Sequence, residues 1–376
     1  LIIQQSTKRG EESMRTLYGK KGTTYQLGEK IGAGGEGTVF KISSEHGKVA
    51  KVFHDGKYNP DVMRRKIETM ISMPIKPVVD GSLRMAWPED ILLDGDMFVG
   101  YVMPLVEAPY EIFQIYRDDA DRDRILPGYT WKYSIQYAYN LSWIVWYMHL
   151  NDIVIGDMNM KNIHINEKGQ VVLIDCDSFD ITNPKTKEHF PCTVGLPEML
   201  APELQTCGNL ANGKFSKESD DFSLAIHIFR LLMKNADPFG AKLISKKKSS
   251  RSAVDASGVI VNGECVYVRK VPGKVAPDWV PPFDMLPEDV RNAFIKTFNY
   301  THLNALKKIK DRTTAEEWNL ILLKLAQAEP NPNLTKCSSN PRHIYPIHNT
   351  TCPWCGTQSI MHDNGLVKKV RSWLGY

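Results

Sequence analysis

The stretch 155-IGDMNMKNIHINEKGQVVLIDCDSF-179 decides how the rest of this chain is read. Asp157 and Asp175 stand near its two ends, and Asn162 follows Asp157 by five residues. Between them, Ile163-His164-Ile165 and Val171-Val172-Leu173-Ile174 are short β-prone runs flanking Glu167-Lys168-Gly169. Two apolar runs separated by a glycine-containing turn predict a hairpin. Its closing end would bring Asn162 beside Asp175, an amide and a carboxylate that suit Mg²⁺, which takes hard oxygen ligands and shares them with phosphates. Asp157, just upstream, then stands where a group attacking such a phosphate would arrive.

Working outward, Tyr25 to Ile31 reads as a strand that enters Gly32-Ala33-Gly34-Gly35-Glu36-Gly37. The β-rich Thr38-Val39-Phe40-Lys41-Ile42 follows. A dinucleotide-binding turn needs a helix after its glycines, whereas strand, glycine loop, strand lets backbone amides approach phosphates closely. Val49-Ala50-Lys51-Val52-Phe53 then sets one lysine among apolar neighbours. Lys51 reads either as a snorkelling lysine on an edge strand or as a phosphate contact. Pro60-Asp61 opens a helix over 62–73 whose only glutamate is Glu68. Asp94-Gly95-Asp96 between hydrophobic runs predicts a second hairpin, and Pro104 lets the chain leave the sheet. Met103 to Val106 is therefore expected to be a hinge, with a nucleotide base in the cleft beside it.

In this order the pieces resemble the protein kinases. The resemblance implies that Asp157 is the catalytic base and that Asn162 and Asp175 hold Mg²⁺. It implies that Gly32, Gly34, Gly35 and Gly37, with Ile31, Val39 and Met103, hold ATP, and that Lys51 pairs with Glu68 over the phosphates. Gly195 to Glu203 is similar to the family's G-T-P-E-Y-x-A-P-E segment, and Ser219-Asp220-Asp221-Phe222-Ser223-Leu224 to its S-D-V-W-S-L helix opening. On that pattern Asp220 supports the catalytic-loop backbone, Asp237-Pro238-Phe239 supplies the following P-F, and Arg312 forms a buried ion pair with Glu203.

The chain departs from the family at several positions. It has Ile155-Gly156-Asp157 for H-R-D, and Asp175-Cys176-Asp177 for D-F-G. Gly156 in place of the loop arginine predicts activity independent of activation-loop phosphorylation. Asn159 occupies the serine/threonine-kinase lysine position, so Lys161 is expected to supply that charge. Leu196 leaves the choice of acceptor hydroxyl open, with serine/threonine preferred. Asp177 is expected to add a metal ligand or to stiffen the loop.

A second chemistry lies near the end, behind the linker-like Glu329-Pro330-Asn331-Pro332-Asn333. Of seven cysteines, Cys337, Cys352 and Cys355 cluster there, and Cys352-Pro353-Trp354-Cys355-Gly356 is a C-x-x-C knuckle. With one histidine they make a tetrahedral Zn²⁺ set. His343 ranks ahead of His348 because Cys337 and His343 form a second compact knuckle. A redox C-x-x-C is the rival, but it wants a preceding buried strand. Metal would stabilise a segment too small to bury much core.

The length of 376 residues and 42% hydrophobic content allow two or three compact units. A formal charge of +4 gives no argument for nucleic acid. The most apolar window, around Leu141 to Leu150, is short of a membrane span, and the first residues lack the apolar run of a signal peptide. A cytoplasmic, thiol-reduced protein is expected.

The expected fold class is α+β: a two-lobed protein-kinase-like fold with a small C-terminal zinc-binding module. Its expected parts are an N-terminal extension at 1–24, an N-lobe at 25–104 and a C-lobe at 105–328. An insert at about 241–282 carries a solvated basic run, Lys246-Lys247-Lys248 and Arg251, and a strand-turn-strand over 259–268. The zinc-ribbon-like module covers 329–360 and a tail 361–376. Kinase order with this tail resembles a bacterial group of tellurite-resistance-associated phosphorylation triads. That resemblance implies a von Willebrand A-type protein and a protein phosphatase as partners beside a protein substrate. The expected activity is ATP- and Mg²⁺-dependent phosphorylation of serine or threonine. The alternatives are a pseudokinase scaffold and a small-molecule phosphotransferase.

Overall fold

The computed structural model describes residues 15–76, 78–79, 81–116, 119–244, 256–328 and 330–355. The architecture is mixed α/β, and the chain divides into two units. The first takes in the described residues of 1–77 and Ala86–Val106; the second comprises Val78–Met85 and the chain from Glu107 onward.

The first unit is built on a small closed barrel. Strands Thr16–Tyr18, Thr24–Ala33, Gly37–Ile42, Lys48–Phe53, Met97–Pro104 and Asp90–Asp94 follow one another around it, and the last pairs with the first. Closure leaves no bare sheet edge. Alternating apolar residues point inward: Leu17, Tyr25, Leu27, Ile42, Ala50, Val52, Leu92 and Val102 form one cluster. Each large aliphatic side chain so buried contributes roughly 1.5–3 kcal/mol. The N-terminal arm expected from the sequence ends earlier than Thr23. Thr16–Tyr18 is a barrel strand, because Leu17 drops fully into the core and its backbone pairs with Thr24–Gln26. The helix Pro60–Ser72 starts at Asn59, whose side chain accepts from the Val62 N–H. Asp94 and Met97 are partners across the Gly95-Asp96 turn, where Gly95 adopts φ +60°.

In the second unit, helix Trp131–Leu150 packs against Ala315–Ala326 and Lys217–Leu232. Lys217–Leu232 is buried almost all round, as expected of a core helix. Ser216 caps it through the Ser219 N–H. Phe222, Phe229, Phe294, Phe298 and Trp318 fill the space beneath, with the Phe294 and Trp318 rings 4.7 Å apart. The hairpin Ile163–Ile165/Val171–Leu173 lies beside Tyr110–Glu111 in a three-stranded sheet. Among the described residues no helix is long and apolar enough to cross a membrane.

The strand-turn-strand expected over 259–268 is not formed. Ala256–Val261 is a helix, and Asn262-Gly263 is its stop signal. The Glu264 N–H reaches Val259 O, the Gly263 N–H reaches Ile260 O, and Gly263 takes φ +63°. This closure is the Schellman pattern, which requires the same glycine that a hairpin turn uses. A Cβ on Gly263 would lie 2.1 Å from the Tyr300 carbonyl oxygen. The basic run at 246–251 and the tail at 361–376 lie outside the described residues.

Candidate active site and metal cluster

In the second unit the residues around Asp157 are held by their backbone more than by their side chains. Val154 and Asp180 exchange both backbone hydrogen bonds, at 3.3 and 2.9 Å. The Ile155 and Gly156 N–H groups then donate to the two oxygens of the Asp220 carboxylate, at 2.7 and 2.9 Å. Asp220 is fully buried, and His149 Nε2 lies 3.1 Å from the same carboxylate. A buried carboxylate tolerates such a place only when its oxygens are hydrogen-bonded. Gly156 turns the chain at φ +75°, and a Cβ there would sit 2.7 Å from Cys192 Sγ. No arginine could occupy this position without displacing Cys192, so the departure from the kinase loop is dictated by packing.

Past the turn, the Asn162 amide donates to Asp157 Oδ2 at 3.3 Å. Asn162 O accepts from the Ile174 N–H at 2.9 Å, which ties it to the strand end preceding Asp175. Asp157, Asn162 and the backbone leading to Asp175 are thus gathered at one end of the hairpin. Asp175 adopts φ +53°, and its carbonyl accepts from both N–H and Oγ of Ser178. Asp177 is only 2% exposed, within the single turn Cys176–Ser178. Lys161 is exposed, its N–H bound to Asn159 Oδ1.

Two buried polar groups of the helix Lys217–Leu232 were not foreseen: His227, which supports this loop, and Asp221, which holds the start of the helix Ala315–Ala326. His227 Nε2 lies 2.8 Å from Met158 O, and its Nδ1 lies 2.9 Å from the Tyr116 hydroxyl. A carbonyl only accepts, so Nε2 carries the proton and Nδ1 accepts from tyrosine. Burial pushes the imidazole down to about 3, keeping it neutral. Asp221 Oδ1 accepts from the Ala315 N–H at 2.8 Å, and burial raises its carboxyl to about 7. The only sequence signal was a polar residue inside an apolar helix, which does not say what it bonds.

The expected Arg312–Glu203 pair is present as a two-pronged bridge of 2.7 and 2.6 Å, with the arginine side chain 3% exposed. Arg312 also donates to Glu218 O and lies over the Phe222 ring at 5.1 Å. It therefore joins the Pro202 helix to the buried helix.

In the first unit, Lys51 is 5% exposed on an interior strand, between Val39 and Tyr101 in register. The edge-strand reading of this lysine is thereby removed. Its ammonium lies 5.6 Å from the Phe53 ring centre. Glu68 is ion-paired to Lys20 at 3.0 Å and Arg64 at 3.6 Å. Met103 is buried opposite Val49, Ile31 is exposed, and Gly34 N–H bonds Gly37 O across the loop. At Gly32, Gly34 and Gly35 an added Cβ would meet no atom, and none of the three has positive φ. Neither internal packing nor backbone conformation requires glycine there. That leaves the close approach of an external group as a physical use for it.

Near the end of the described chain, Cys337, His343, Cys352 and Cys355 converge, with all ligand atoms within 4.8 Å of one another. Cys337 and Cys355 Sγ are 3.6 Å apart, and His343 Nδ1 is 3.5 Å from the Sγ atoms of Cys352 and Cys355. Zinc–ligand bonds of about 2.3 Å to sulfur and about 2.0 Å to nitrogen give tetrahedral edges of roughly 3.5–3.8 Å, so this set fits one such ion. His348 is elsewhere, with Nε2 3.2 Å from Asp284 O. A hairpin, Leu334–Lys336 with Ile344–Pro346, presents Cys337 and His343.

No family model matches the chain. It is 30% identical over 362 residues to "Protein kinase YegI" of Escherichia coli O157:H7, covering 94% of this chain and 52% of that protein. The same named protein from E. coli K12 matches at 30% over 361 residues, again 94% and 52%. A mimivirus "Putative serine/threonine-protein kinase R436" is 39% identical over 104 residues, 27% of this chain and 34% of that one. The chain thus spans about half the length of the YegI proteins it matches. These similarities relate it to protein kinases.

Proposed function

We propose that this relative of protein kinases transfers the γ-phosphoryl group of ATP to a serine or threonine hydroxyl of a partner protein, on a two-lobed kinase-like fold. One observation carries the reading. The buried Asp220 carboxylate clamps the two backbone amides ahead of Asp157, while Asn162 holds the Asp157 side chain from the other side. Phosphoryl transfer depends mostly on positioning and charge neutralisation, so a base fixed in this way suits the reaction.

In this proposal Asp157 orients the hydroxyl and receives its proton, and Lys161 adds positive charge nearby. Asn162 and Asp175 would hold Mg²⁺, which when bound offsets charge on the phosphates. Gly32 to Gly37, with Ile31 and Val39, would cover ATP, whose close approach the open space over Gly32, Gly34 and Gly35 supports. Lys51 and Glu68 align its phosphates, and Met103 borders its base. Cys337, His343, Cys352 and Cys355 would hold Zn²⁺ as a structural ion, since all four positions of a tetrahedron are filled by protein atoms. A cytoplasmic location and partners of the von Willebrand A and phosphatase types belong to the same proposal. Incubation with γ-labelled ATP, Mg²⁺ and candidate partners tests it: label should appear on a partner serine or threonine and vanish with Asp157→Ala.

A further inference from the structure

One face of the helix Lys217–Leu232 follows the loop around Asp157 along its length. Asp220 takes the amides of Ile155 and Gly156, His227 meets Met158 O at 2.8 Å, and Arg230 Nη1 lies 3.1 Å from Met160 Sδ. Asp220 and His227 stand about two helical turns apart, roughly 10 Å along the axis, and so face the same side. Asp157 is thereby bracketed in its own backbone. The amides ahead of it are fixed by Asp220 and the carbonyl after it by His227. The turn between them closes through Asp157 N–H to Ile155 O and Met158 N–H to Gly156 O, at 3.0 and 3.2 Å. Both bonds to Asp220 lie ahead of Asp157, so neither sets the peptide that follows it.

Packing alone does not ask for a histidine here. His227 is fully buried in a helix that is itself buried almost all round. An aliphatic side chain would fill that place without taking two ring nitrogens out of water. Both nitrogens are instead bonded. Met158 O can only accept, so Nε2 is the donor, and the Tyr116 hydroxyl at 2.9 Å donates to Nδ1. With a partner at each end, the imidazole plane is fixed. Tyr116 is held in turn. It closes the helix Ile112–Ile115, and the strand Tyr110–Glu111 just before that helix pairs with His164 and Ile165 of the same catalytic stretch. The Tyr116 and His227 rings lie 6.1 Å apart between centres, with their planes inclined by 29°.

We infer that His227 is a positioning residue for phosphoryl transfer: by holding Met158 O it fixes the peptide after Asp157, and Tyr116 acts through it by holding the imidazole plane. A loop held on one side of Asp157 only lets the carboxylate drift, and a drift of about 1 Å can cost roughly a hundredfold in rate. Where rate is concerned, the inference rests on the kinase reading and deepens it. The hold on the loop is measured without ATP, so a failure of His227 in this role and a failure of the kinase reading are separate results.

The test uses the full chain with His227→Leu, His227→Gln and Tyr116→Phe. Glutamine carries its NH₂ as many bonds from Cβ as Nε2 is, and so keeps a donor for Met158 O; leucine does not. Without nucleotide, His227→Leu should speed hydrogen exchange of the Asp157 and Met158 amides by at least about tenfold, and that of Ile155 and Gly156 by less than about threefold. With ATP, Mg²⁺ and a partner protein, its kcat should fall by about a hundredfold with KM for ATP held within about threefold, and His227→Gln should regain at least about tenfold. Nitrogen NMR should show His227 of the parent as the neutral Nε2–H tautomer at about pH 6. Exchange raised equally at 155–158 with glutamine no better than leucine marks a merely structural histidine and overturns the inference. Parent-like exchange at Met158, an Nδ1–H tautomer or an imidazolium does the same. If His227→Leu does not fold, Tyr116→Phe replaces it: exchange at Met158 at least about threefold faster, with Ile155 unchanged, is then expected, and parent-like exchange there counts against the inference. The expected exchange pattern in a chain that transfers no label supports the hold of His227 on the loop and removes the kinase reading.

Discussion

Replacing Asp220 by asparagine tests how the loop before Asp157 is held, because the substitution keeps the shape and removes one acceptor. Ile155 N–H and His149 both face Oδ2, and Gly156 N–H faces Oδ1. Asparagine keeps most bonds by placing its oxygen at the Oδ2 position, which turns its NH₂ group toward the Gly156 N–H. A stranded buried N–H costs about 1–3 kcal/mol, and the two surviving bonds fall from charge-assisted to neutral strength, roughly 1 kcal/mol each. Relief from burying a negative charge offsets part of this. The net loss should be about 2–4 kcal/mol, read as a lower urea midpoint at unchanged slope. Hydrogen exchange should locate it, with the Gly156 amide losing protection and hairpin amides at 163–173 keeping theirs. Phosphoryl transfer should fall by about a hundredfold or more, since a displacement of about 1 Å can cost that much. A variant within about 0.5 kcal/mol of the parent, with Gly156 still protected, would show that the carboxylate does not hold the loop.

Arg312→Met leaves the half-buried Glu203 without its partner and should cost about 3 kcal/mol by urea unfolding, while adding Glu203→Leu should recover much of it. The Asp221 carboxyl, raised to about 7 in the fold, contributes stability that is full below its unfolded value of 3.8 and is lost as pH rises through about 7. Asp221→Asn should therefore gain on the parent by up to about 4 kcal/mol between those limits, in paired urea curves; a constant difference contradicts the shift. Chelator, or Cys352→Ser, should loosen the Trp354 contact with Trp131 and change tryptophan fluorescence in a way that added Zn²⁺ reverses only in the parent chain.

Local signals in the sequence were sufficient where one short segment contained its own partner. The hairpin at 163–173 needed only its two β-prone runs and a turn, and the Cys337–Cys355 cluster needed only ligand types at knuckle spacing. Arg312 and Glu203 are 109 residues apart, and only the order of motifs linked them. Physics shared between alternatives defeated the reading elsewhere. Asn262-Gly263 supplies positive φ equally to a hairpin and to a helix end, and the bonds to Val259 O and Ile260 O that make it a helix end are backbone bonds with no mark in the side chains. Thr16–Tyr18 is too short for a visible alternation, and it closes the barrel by backbone pairing on both sides with Leu17 as its one buried side chain. His227 and Asp221 act through backbone groups 69 and 94 residues away, a relation that side-chain chemistry does not encode.

Whether Asp157 carries phosphoryl transfer is decided by transfer of label from γ-labelled ATP in the presence of Mg²⁺, with the parent chain compared with Asp157→Ala. Label should appear on serine or threonine of a partner protein and fall by about 10³-fold or more in the variant while its urea midpoint is kept. Equal labelling by parent and variant, or nucleotide binding with no transfer to any hydroxyl, would contradict it.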